Sequence, residues 1–135
     1  MTARYLLDTN MVIHIRQRRP IATLEKFEGL AVGVAALSVI TYGELLVGIE
    51  KSINREGGLA ILRELTRLIP VLPLPVQAGE AYGGIRSTLE RQGNVIGSND
   101  LWIAAHALAA NLVLVTNNWS EFSRVPQLQL ENWVT

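Results

Sequence analysis

Cysteine is missing from all 135 residues. That excludes disulfide scaffolds, zinc ribbons, thiol nucleophiles and iron–sulfur sites. Net charge is missing too, since twelve Lys and Arg balance twelve Asp and Glu. No bulk positive field draws the chain to nucleic acid, so such a role needs a local basic patch. Asp8 arrives before the apolar core of a secretory leader could form. The longest stretch free of Asp, Glu, Lys and Arg, residues 101–120, has the length of a membrane span. His106, Asn111, Asn117 and Asn118 interrupt it, and its pattern turns from helical to strand-like near Asn111. The expectation is a soluble, cytoplasmic protein with no membrane segment. With 49% hydrophobic and 18% charged residues, the chain can build one core, and one domain over residues 1–135 is expected.

The chain alternates strand and helix signals. Residues 5–7 are a short apolar run closed by Asp8, the pattern of a buried strand. Asp8, Thr9 and Asn10 offer N-cap chemistry for a helix carrying Met11, Val12 and Ile15, which Arg16, Arg18, Arg19 and Pro20 end. A short helix is predicted over 23–29, a second strand over 31–37, and a helix capped by Ser38 that runs through Glu44 to about Ser52. Gly57-Gly58 reads as a break before a helix over 59–69. Residues 71–74, set among Pro70, Pro73 and Pro75, make at best a short edge strand. A helix follows over 77–92; its Gly83-Gly84 pair costs roughly 1 kcal/mol per glycine against alanine, which predicts close backbone packing there. An alanine-rich helix over 99–110, a strand over 112–115, a short turn or helix to Phe122 and a last strand over 128–130 complete the chain. Several strands are continuous apolar runs, so the fold class is α/β, with a parallel sheet covered on both faces.

Aspartate is scarce enough to be informative: Asp8 and Asp100 are the only two. Each opens a helix, so capping or a dipole contact explains either one alone. Glu44 is harder to explain that way. Three and four residues from it stand Ile40, Thr41, Val47 and Gly48, none of them a cation. An inward, unpaired carboxylate is costly; the alternative is that this turn is simply exposed. If the three acids converge at one sheet end, each pair at 4 Å repels by about 4 kcal/mol at an effective dielectric of 20. A hard divalent cation removes that penalty, and oxygen ligands favour Mg²⁺ or Mn²⁺ over Zn²⁺. Such a centre polarises phosphate and activates water.

Four segments in this order resemble the PIN domain, and more closely the VapC toxins of type II toxin–antitoxin pairs. They are Leu6-Leu7-Asp8-Thr9-Asn10; Ser38-Val39-Ile40-Thr41 with Gly43-Glu44-Leu45; residues 96–107 around Asn99-Asp100-Leu101-Trp102; and Val115-Thr116-Asn117-Asn118 with Glu121-Phe122. The resemblance implies a three-layer α/β/α sandwich with a central, mostly parallel sheet. It implies a Mg²⁺-dependent endoribonuclease, with Mn²⁺ as a substitute, that cuts a structured RNA such as a tRNA. It further implies a homodimer silenced by a cognate VapB-type antitoxin. Asp8, Glu44 and Asp100 match the family's acidic triad, and Asp8 and Asp100 match its metal ligands. Glu44 would then orient or help deprotonate the attacking water. Thr9, Asn10 and Thr116 would support the ligands by hydrogen bonds, or serve as turn and cap residues. Many PIN domains carry a fourth acid where this chain has Asn118. An amide oxygen adds no charge, and Glu121, one short turn on, can substitute. Whether one or two ions act stays open.

Arg16, Arg18 and Arg19 are candidates for RNA phosphates, or a solvated surface cluster. His106 lies about 120° around its helix from Asp100, which points to a core hydrogen bond instead of catalysis. Trp102, Trp119 and Trp133 suit packing better than base stacking. The uncharged, apolar stretch over 29–43 exceeds what one strand needs and suggests a dimer or antitoxin surface. A receiver domain would need a central strand-end aspartate and a late lysine, and the last lysine here is Lys51. A haloacid-dehalogenase phosphatase would need aspartate where Asn10 stands. A PIN-like scaffold kept only for binding is the remaining rival.

Overall fold

Tyr5–Leu7 (β1) forms the axis of the molecule, and its three residues are all buried. The computed structural model describes residues 2–134. Two strands lie on one side of β1, Ala35–Ser38 (β2) and then Val71–Leu72 (β3). Val113–Val115 (β4) and then Leu130–Glu131 (β5) lie on the other. The order is β3-β2-β1-β4-β5, and every pairing is parallel. In the register of these strands, Leu6 pairs with Ala36 and Leu114, and Leu7 with Val115.

The sheet has a core on each face. Leu6 and Leu114 belong to one, with Ala78, Ile85 and Leu89 of helix Gln77–Gln92 (α5) and Ile103, Ala104 and Ala107 of helix Ser98–Ala109 (α6). Tyr5, Leu7 and Val115 belong to the other, with Met11, Val12 and Ile15 of helix Thr9–Gln17 (α1). Phe27 of Ile21–Glu28 (α2) and Leu65 of Arg55–Leu68 (α4) pack against that second core. Helix Val39–Glu50 (α3) links the layers, with Ile40 against the first core and Leu45 against the second. Trp119–Phe122 (α7) is a single turn after β4. This is the expected three-layer α/β/α sandwich. No helix among the described residues is long and apolar enough to cross a membrane.

Four local expectations are corrected. The second strand starts at Ala35, not Ala31, because residues 32–33 turn and Gly33 takes φ +91°. Gly57-Gly58 does not break the chain: α4 begins at Arg55, where the Asn54 side chain accepts from the Gly57 amide at 3.1 Å. A β-carbon on Gly57 would collide with that cap, and Gly58 packs on Ile49. The last strand is Leu130–Glu131, since pairing to Leu114 and Val115 decides its position. Gly83 and Gly84 pack against nothing; a β-carbon on either would meet open space.

That last finding reverses the meaning of the glycine pair. Gly83→Ala and Gly84→Ala are each expected to stabilise the protein by about 0.5–1 kcal/mol through the unfolded chain's entropy. Urea unfolding measures this directly, and a loss of stability would restore the close-packing reading.

Candidate active site

All five strands run the same way, so their carboxyl ends share one edge. At β1 the winding direction reverses, with β2 on one side and β4 on the other. Ligands of open parallel sheets bind at such reversals. Asp8 stands one residue beyond β1, and Thr116 one beyond β4. The Asp8 amide donates to the Val115 carbonyl at 3.1 Å, which fixes the two side by side.

Asp8 is buried, at 6% exposure. Its carboxylate caps α1 by accepting from the Met11 amide at 2.9 Å, and the Thr116 hydroxyl donates to it as well. The capping and the functional readings of Asp8 therefore hold together. Burial pushes this carboxyl above its ordinary value. The bonds from Thr116 and Met11 and the charge of His14 oppose that, and Glu44 adds to it.

Glu44 is half-buried on α3. Its Oε1 accepts from Thr9 Oγ1 at 2.8 Å, and its Oε2 from Asn99 Nδ2 at 3.5 Å. Thr9 follows Asp8 and Asn99 precedes Asp100, so Glu44 is suspended between the neighbours of the two aspartates. Sequence reasoning assigned no role to Asn99. The available signal was an amide at the start of the helix that carries Asp100.

A buried bond sets where α3 starts. Ser38 Oγ caps it, accepting from the Ile40 amide at 3.1 Å, and lies 2.8 Å from His106 Nδ1. Burial pulls the His106 pKa down, which favours the neutral ring. His106 packs away from the acids, as its helical angle predicts, and ties α6 to α3.

Asp100 lies in the first turn of α6 and is half-buried. Its pKa is pushed up to about 7: first by desolvation, then by its hydrogen bond to Glu121, then by the charges of Glu121, Glu44 and Asp8. When protonated, its carboxyl donates to Glu121. Glu121 Oε2 also accepts from Asn118 Nδ2 at 3.2 Å, and the Asn118 amide donates to Thr116 Oγ1 at 2.9 Å. Asn118 thus stands beside the acids, and Glu121 brings the fourth carboxyl.

Among the described residues, no three His, Asp or Glu side chains close into a set that could hold a metal ion. The bonds give the reason. Each acid already has a protein partner: Met11 and Thr116 for Asp8, Thr9 and Asn99 for Glu44, and one another for Asp100 and Glu121. The donors are all oxygen, the set that hard divalent cations take. Four carboxyl groups are gathered here with no Lys or Arg ion-paired to them among the described residues, a charge that such a cation would neutralise, so these residues fit one.

The remaining candidates scatter. Asn10 is exposed on α1 and makes no side-chain hydrogen bond among the described residues. Arg16, Arg18 and Arg19 are exposed. Arg16 shares an open concavity of about 440 Å³ with Thr9 and Glu44. Arg16 and Arg18 also border an apolar groove of about 740 Å³ between α1, α2 and α4. Arg19 lines neither. Trp133 is buried edge-on to Tyr5, and Trp102 stacks on Tyr82 at 3.9 Å between centroids. Trp119 is 43% exposed.

A PIN-domain family model matches residues 5–128. The chain belongs to the PIN-domain family. Ribonuclease VapC2 of Haemophilus influenzae is 41% identical over 131 residues, 97% of this chain and 98% of that protein. The tRNA(fMet)-specific endonuclease VapC of Shigella flexneri is 38% identical over 130 residues, 96% and 98% of the two chains. The solved structure of VapBC-1 from nontypeable Haemophilus influenzae superposes with a TM-score of 0.89 at 39% identity, covering all of both chains. Within the PIN domains, this chain is of the VapC type.

The raised Asp100 pKa has a signed consequence. Between its unfolded value of 3.8 and about 7, the folded state holds the extra proton. The stability this contributes is present at low pH and lost as pH rises through that window. Without divalent metal, the wild type is expected to lose melting temperature relative to Asp100→Asn from pH 4 to pH 8. The depressed His106 acts in the opposite sense but is common to both proteins. Parallel melting curves across that range would remove the extra proton.

Proposed function

We propose that the chain is the toxin half of a type II toxin–antitoxin pair: a metal-dependent endoribonuclease that hydrolyses a phosphodiester of a structured RNA such as a tRNA. A VapB-type antitoxin neutralises it. The observation that carries this reading is the gathering of Asp8, Glu44, Asp100 and Glu121 at one sheet edge, with Asp100 forced to keep its proton to about 7. The names of the relatives support the RNA substrate and, for the Shigella protein, a tRNA.

Asp8 and Asp100 would hold Mg²⁺, or Mn²⁺ in its place. The ion, when bound, supplies charge against the phosphoryl oxygens and makes water easier to deprotonate. Every other part belongs to the chain. Thr116 and the Met11 amide fix the Asp8 carboxylate. Asp100 gives up its proton to become a ligand. Glu44, steadied by Thr9 and Asn99, orients the attacking water and takes its proton. Glu121, steadied by Asn118, supplies the negative charge that Asn118 lacks.

The apolar groove between α1, α2 and α4 is the antitoxin's seat in this reading. Val32 and Ile61 line it with 61% and 45% of their surfaces exposed, and Leu30, Ala31 and Val32 bring the start of the apolar stretch noted in the sequence to its wall. An amphipathic helix is the partner segment such a groove takes. Arg16 and Ile61 line both the groove and the concavity holding Glu44, so an occupant of the groove reaches the acids. A homodimer and a cytoplasmic site of action complete the reading.

The purified chain is expected to cut RNA with Mg²⁺ and to stop with EDTA. Asp8→Asn, which keeps the helix cap, should lower kcat/KM by about 100-fold or more. Sequencing of new RNA ends after induced expression identifies the target. Cutting that survives both EDTA and Asp8→Asn would refute the assignment. No Mg²⁺ binding at millimolar concentration, with antitoxin still bound tightly, would make the chain a binding module. Val32→Asp is expected to weaken antitoxin binding by about tenfold or more while RNA cleavage is unchanged, read by titration calorimetry and a cleavage assay.

A further inference from the structure

Trp119 has no part in the scheme above, yet its setting is unusual for this molecule. All eight aromatic residues are described, and Trp119 is the one with more than a third of its surface in water. Its ring is not loose. Nε1 donates to the Thr116 carbonyl at 3.1 Å. Thr116 is fully buried, and its hydroxyl donates to Asp8. One rigid residue thus connects the indole edge to the first acid. Two residues further on, Glu121 lies within hydrogen-bond reach of Asp100. The indole stands at the rim of the acid cluster with one edge fastened and much of its surface open.

The chemistry of a phosphodiesterase leaves a place for such a group. The acids act on a phosphate and read no base. An aromatic face held in advance stacks a base without paying for its own immobilisation. Unpaired bases in RNA loops are recognised mainly in this way. Trp102 and Trp133 cannot serve, since Tyr82 and Tyr5 already occupy them.

We propose that Trp119 is a stacking platform for one unpaired nucleobase of the RNA next to the cleaved phosphodiester, and so contributes to the choice of cut site. The proposal rests on the ribonuclease reading and adds a substrate contact to the same site. Trp119 acts in binding and selection, and the acids remain responsible for the chemistry.

The test uses the full chain with Mg²⁺ and a short RNA containing the cut site mapped for the wild type. Abasic positions are walked through the nucleotides flanking the cut. One of them is expected to lower wild-type kcat/KM by about 5- to 150-fold, the range that base–aromatic stacking spans. Trp119→Leu should lose about as much on intact RNA and nothing further on that abasic RNA. Trp119→Phe, which keeps a stacking face but not the bond to Thr116, should retain most activity. Equal cleavage of intact RNA by Trp119→Leu and wild type overturns the proposal. So does a loss in Trp119→Leu that leaves its abasic sensitivity intact, which would make the indole a brace for Thr116. A variant altered only in antitoxin binding would make it a protein contact instead. Wild type that cuts no RNA at all defeats the ribonuclease reading, and the platform falls with it.

Discussion

Mutual repulsion among carboxylates is the constraint around which this molecule is arranged. Four acids, one at the end of β1 and three on helices, meet at one edge of a parallel sheet, where no lysine or arginine forms an ion pair with them among the described residues. Hydrogen-bond donors soften the cost: a backbone amide and a threonine for Asp8, a threonine and an asparagine for Glu44, an asparagine for Glu121. They do not remove it: burial first, then the hydrogen bond to Glu121 and the neighbouring charges, push the Asp100 pKa up to about 7. A fold free to relax would turn these side chains outward. Here the strand ends and helix starts leave them no such freedom.

What prevents relaxation is a scaffold of small, buried attachments. Asp8 is fixed from behind by the β1–β4 register and from in front by its own cap on α1. Glu44 is aimed by α3, whose first turn is set by Ser38, and Ser38 is held in turn by His106 from the helix that carries Asp100. The two histidines therefore have separate parts. His14 lies near enough to Asp8 to oppose the rise in its pKa, and His106 is a buried structural link. The apolar groove stands apart from this scaffold but touches it at Arg16 and Ile61, so recognition and chemistry are separable without being isolated.

The sequence displayed the acids well because each breaks an apolar pattern. Asp8 ends a run that the sheet buries, and Glu44 lacks any helical partner. The helix over 77–92 was equally plain, bounded by Pro75 and Gly93. Other features depended on contacts that local pattern does not contain. Val32 has a strand former's side chain but lies in a turn that opens onto the groove. Gly57 looks like a breaker until Asn54 is seen capping onto it. The Gly83-Gly84 pair implied a neighbour that is not there. The last strand follows the register of β4 and not its own propensity. The partnership of Asn99 with Glu44 spans 55 positions, beyond the reach of any pattern along the chain.

The junctions at the acid edge are almost without slack. One residue separates β1 from α1, none separates β2 from α3, and three separate β4 from α7. At the opposite edge the chain takes six residues from α2 to β2 and seven from α7 to β5, but only two from α4 to β3 and three from α6 to β4. Insertions and deletions accumulated over descent are therefore tolerable on the far side, where slack absorbs them. In the short junctions beside the acids a single added residue would turn a carboxyl away from its neighbours, so room for added length lies in the two long connections on the far side.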